Sequence, residues 1–102
     1  VIAAAALQVG ANHIDVEFVA GDGPIHRRDG YLYTLFVPAR AHEAFPCFDQ
    51  PDLKAGYALT LSMPGDWDAV ANAPERSRRI ERARDATTLV VSFEDTDPLP
   101  TY

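Results

Sequence analysis

Cysteine occurs once in this 102-residue chain, at position 47, so no disulfide can form within it. Lysine also occurs once, at Lys54, and nine basic residues face fifteen acidic ones. The resulting net charge of −6 excludes a surface that tracks nucleic-acid phosphates. No apolar run is long enough to cross a bilayer; the opening "VIAAAAL" is far too short and has no basic flank. Nor is there an internal repeat or a low-complexity tract. The three histidines, His13, His26 and His42, do not pair with one another or with Cys47 at metal-ligand spacing, so the sequence holds no zinc motif. The glycines at 21, 23 and 30 lack the strand–loop–helix setting of a phosphate cradle.

What is present reads as a single small domain. A hydrophobic content of 47% and ten aromatic residues fit a β-rich globular chain. "HIDVEFVAG" alternates Ile14, Val16 and Phe18 with Asp15 and Glu17, the pattern of a half-buried strand. "YLYTLFV" is apolar or aromatic on both faces, as in a strand covered on both sides, and Pro38 ends it. "PARAHEA" can make about two helical turns with proline in the first. "KAGYALTLSM" puts Tyr57, Leu59, Leu61 and Met63 on one face, "WDAVAN" suits a short strand, and "TTLVVSF" is the last clear one. "VIAAAAL" reads as a buried strand or as a start cut from a longer chain, and "DPLPTY" also reads as an internal stop. "PERSRRIERARDA" has the composition of an exposed helix, yet it holds only Ile80 and two alanines to bury, and a hairpin leading into "TTLVVSF" competes. Its arginines, 76 to 84, are diluted by Glu75, Glu81 and Asp85 into a solvated face. The fold class is therefore all-β: a sandwich or curved antiparallel sheet of five to seven short strands, with one short helical turn near 38–44.

The densest stretch is "AFPCFDQPDLKA", Ala44 to Ala55. It could be a metal loop, a nucleophile site or a rigid corner. A reactive thiol needs an activating base and an electropositive setting, whereas Cys47 stands between Pro46 and Phe48, the context of an inert buried thiol. Asp49 and Asp52, like Asp66 and Asp68, sit in turn sequences where aspartates bond backbone amides. Pro46 and Pro51 fix φ and bias the residues before them to extended conformations. Phe45 and Phe48 suit a core beneath the corner, and Lys54 is placed to answer Asp49 or Asp52. The physical reading is a rigid, partly buried corner with no catalytic residue.

These same residues resemble a family signature. "FPCFDQPDLKA" is similar to the Phe-Pro-Cys-x-Asp-x-Pro-x-x-Lys-Ala pattern in the N-terminal domain of the aminopeptidase N family, the gluzincin zinc aminopeptidases. Phe45, Pro46, Cys47, Asp49, Pro51, Lys54 and Ala55 match it. The likeness extends outward to "LQVGANHIDVEFVAG", "YTLFVPARAHEA", "DAVANAP" and "FEDTDPLPTY", so nearly the whole chain is covered. The resemblance implies a saddle-like all-β domain that lids a zinc-dependent exopeptidase site, and a hairpin over "RSRRIERARDATTLVVSF". It implies that residues 1–102 are the central part of that lid domain. The partners would be the catalytic domain of the same chain and, in the parent, a peptide substrate. No cofactor is expected in this piece; zinc would belong to the parent, since the family's His-Glu-x-x-His helix and Gly-x-Met-Glu-Asn strand are absent from the sequence. The substrate-facing candidates are Leu35 and Val37. They fall where many members carry a glutamine and an amine-binding glutamate or glutamine, and His42 stands where an arginine is common. Those departures sustain an alternative: a peptidase-inactive scaffold of the same family serving protein–protein interaction.

Overall fold

A computed structural model describes residues 2–102. Five strands form two antiparallel sheets, and no α-helix occurs among the described residues. The chain is an all-β open sandwich. The first sheet is a hairpin of β1 (Ile25–Arg28) and β2 (Tyr31–Thr34). Its register pairs Arg28 with Tyr31, leaving Asp29 and Gly30 as the turn. Gly30 takes a φ of 85°, a left-handed conformation that a side chain would strain.

The second sheet orders its strands β3-β5-β4, with β3 at Thr60–Pro64, β4 at Glu75–Arg82 and β5 at Thr87–Phe93. β5 is last in sequence but central in space, and it alone has a neighbour on each side. It accordingly holds most of the buried side chains: Leu89, Val90, Val91 and Phe93. Leu89, Val91 and Phe93 share one face and pack against Leu61 and Met63 of β3 and against Ala69, Ala71 and Ala73. Leu61 lies opposite Val91 and Met63 opposite Leu89, so the alternation legible in "YALTLSM" is the register of the sheet. Beyond Thr60 the ladder continues irregularly, through Phe93 N–H to the Leu59 carbonyl (3.0 Å) and a two-way bridge between Ala55 and Leu99.

The basic segment is the hairpin strand β4. A helix there would bury only Ile80, whereas a strand satisfies its backbone against β5 in full register from Ser77 to Arg82. A bulge at Glu75/Ser77 offsets the start. All eight β4 residues are exposed.

Other expectations are corrected. "VIAAAAL" is not a buried strand: Ala4–Ala6 form a single exposed 3-10 turn, and Val1 lies outside the described residues. "HIDVEFVAG" forms no strand, because no described residue offers its backbone a neighbouring ladder; Ile14, Val16 and Phe18 remain 54–56% exposed. "YLYTLFV" pairs only as far as Thr34, and β2 is exposed rather than covered on both sides. "PARAHEA" makes one 3-10 turn, Ala41–Glu43, instead of two helical turns. "WDAVAN" is an arm, not a strand: its alternate alanines pack on the core while Asp68 is tied sideways to Arg78. With a Cα radius of gyration of 16.7 Å against about 13 Å for a compact chain of this length, the molecule is elongated, 50 × 27 × 27 Å.

Candidate functional site

The Ala44–Ala55 stretch is a corner, and Asp49 is its fastening point. Pro46 and Pro51 stiffen its two arms. Two short turns close inside it, Gln50 N–H to the Phe48 carbonyl (2.8 Å) and Leu53 N–H to the Gln50 carbonyl (3.0 Å). The Asp49 side chain is only 9% exposed. Its Oδ2 accepts from the His42 backbone N–H (3.2 Å) and lies 2.8 Å from His42 Nδ1; its Oδ1 accepts from the Thr101 hydroxyl. The Thr101 hydrogen bond first, and then the His42 bonds, lower the Asp49 pKa to about 2, against the opposing effect of burial.

Lys54 forms no ion pair with Asp49 or Asp52 among the described residues; the side chain beside Asp49 is that of His42. Asp49 also does not bond the amides of its own turn but reaches back to His42 and across the fold to Thr101. Phe45 fills as expected, meeting Phe36 edge to face with centroids 5.8 Å apart. Phe48 does not: it is 81% exposed, because the turn that buries Asp49 points the neighbouring ring outward. Cys47 is half-buried, and burial, reinforced by the Asp49 carboxylate, raises its thiol pKa. Burial likewise raises the Tyr57 hydroxyl pKa, with smaller contributions from Cys47 and Asp49. Burial and the Asp49 charge both disfavour a thiolate at Cys47.

The second feature is an open cleft of about 610 Å³ between the first sheet's outgoing strand and the core face of the second. Leu35, Phe36 and Val37 form one wall; Tyr57, Leu59 and Leu61 face it. Leu32 to Val37 line the cleft without a gap, so the segment borders it along its length rather than by alternate residues. Leu35 and Val37 are each about half exposed, and the Val37–Pro38 peptide is cis. Hydrogen bonds tie the wall and the turn that follows it to the 21–24 loop. Leu35 N–H donates to the Pro24 carbonyl (2.9 Å), Arg40 Nη2 to the Gly23 carbonyl (2.7 Å), and Gly21 N–H to the Glu43 carbonyl (3.0 Å). A Cβ at Gly21 would run into that Glu43 carbonyl oxygen, so glycine is required by close approach.

On the far side Arg78 holds the Asp68–Ala73 arm. Its Nη2 donates to Asp68 Oδ1 and to Glu75 Oε2, both at 2.7 Å. Hydrogen bonding to Arg78 lowers the pKa of both carboxyl groups and the two acids raise that of the guanidinium. The expected local bond of Asp68 is also made, from the Ala69 N–H at 2.9 Å.

His13, His26 and His42 stay apart. His13 meets Asp15 in solvent, and His26 stacks on Tyr33 with centroids 4.9 Å apart. Among the described residues no group of three or more His, Cys, Asp or Glu side chains could hold a metal ion, so the donor set for a zinc site does not exist here. No described helix is long and apolar enough to cross a membrane. Sequence reasoning missed Thr101 and His42 as partners of Asp49. For His42 the seven-residue spacing on either side of a proline was a usable signal; for Thr101, 52 residues away, there was none.

Comparison with known proteins adds a further set of findings. The family model described as Peptidase M1 N-terminal domain matches residues 25–102. Tricorn protease-interacting factor F2 of Thermoplasma acidophilum is 35% identical over 71 residues, 70% of this chain and 8% of that protein. Aminopeptidase N of Bos taurus is 37% identical over 69 residues, 68% of this chain and 7% of that protein. Glutamyl aminopeptidase of Mus musculus is 35% identical over 82 residues, 76% of this chain and 8% of that protein. The chain thus spans less than a tenth of the length of each of these relatives. No solved structure gives a significant match.

Proposed function

The chain belongs to the Peptidase M1 N-terminal domain family, and from that membership we propose that it is the central part of the lid domain of a zinc aminopeptidase. In this reading the complete protein removes N-terminal residues from peptides, and this piece contributes shape rather than chemistry. Zinc and the groups that activate water would be supplied by the catalytic domain of the same chain, because no donor set for a metal exists among the described residues. The observation that carries the reading is the corner: the seven signature positions between Phe45 and Ala55 lie in one corner fastened through Asp49, and Phe45 joins it to the Leu35–Val37 wall by meeting Phe36 edge to face. The many half-exposed apolar side chains, from Leu32 and Leu35 to Leu53 and Leu59, suit a domain that packs against further protein.

Leu35 and Val37 would form an apolar wall of the first substrate pocket. A glutamate at 37 would offer a substrate ammonium a charge-assisted hydrogen bond worth about 1.5–3 kcal/mol; valine offers only apolar contact. The amine would therefore be held by groups of the catalytic domain.

The test uses the complete parent protein. Hydrolysis of aminoacyl anilides, abolished by a chelator and restored by zinc, is the expected result. A folded parent without hydrolysis would replace this reading with the scaffold alternative, to which the loss of polar groups at 35 and 37 lends support. In an active parent, Val37→Ala should shift the kcat/KM ratio between a small and a large hydrophobic substrate. An unchanged ratio in both Val37→Ala and Val37→Glu would make Val37 simply packing.

A further inference from the structure

We draw no further inference here: the strongest candidate, the open apolar cleft between the Leu35–Val37 wall and the Leu59, Leu61 and Phe93 face of the second sheet, carries nothing beyond the reading above, because nothing in the structure shows what covers it.

Discussion

Asp49 is the residue on which most of the corner depends, and its ionisation gives the corner a pH signature. In the fold its pKa is lowered to about 2, while in an unfolded chain an aspartate titrates near 3.9. The folded value lies below the unfolded one, so the stabilisation is fully present above about pH 4 and is lost as pH falls through about 2. Urea midpoints measured between pH 5 and 2 should fall steeply for the native chain. For Asp49→Asn they should start lower and change less over that window; equal slopes would show that other carboxylates dominate. Cys47, two residues away, should behave as a shielded thiol: burial and the Asp49 charge raise its pKa, so a thiol reagent at neutral pH should label the native chain more slowly than the unfolded one. At this scale the sequence was informative about type and poor about partner. Pro46, Pro51 and Asp49 announce a turn through their own backbone chemistry, whereas the acceptor role of Asp49 toward Thr101 depends on how distant segments cross. No local pattern encodes that crossing.

Strands β3 and β5 were readable because each repeats apolar residues with the period of its own pleat, and the tertiary core agrees with that period. The 11–20 segment carries an equally clean alternation and yet forms no strand, since a period selects a face and does not supply a neighbouring backbone. β4 shows the converse: its residues look helical by composition, but the β5 ladder decides the outcome. Leu89→Ala should remove about 2–5 kcal/mol through a cavity beneath β5, much of the stability of so small a domain, as read from a denaturation midpoint. In the 21–24 loop, Gly21→Ala should cost about 1–3 kcal/mol by forcing that loop off the Glu43 carbonyl. The outer edge of β4 is guarded. β4 is an edge strand, and its exposed Arg79 and Arg82 are charged side chains of the kind that discourage edge-to-edge pairing with another copy. Arg79→Val combined with Arg82→Val should therefore raise the fraction of dimers and larger species in light scattering; no change would assign the protection to the bulge instead.

Across the whole molecule, order is concentrated around β5 and declines toward residues 2–20, whose backbone has few internal partners. Amide exchange should follow that gradient, with the slowest amides at Leu89–Val91 and rates near those of an unfolded chain over Ile14–Phe18. The sheet order has one more consequence, for the making of the chain. Synthesis runs from the N-terminus, so β3 leaves the ribosome well before the central strand that must sit beside it. At roughly 5–20 residues per second, the stretch separating Pro64 from Phe93 takes on the order of a few seconds to emerge. Through that interval Leu61 and Met63 have no sheet to join. The β4–β5 hairpin, by contrast, can close as soon as it is complete, and β3 then docks onto a partner already formed.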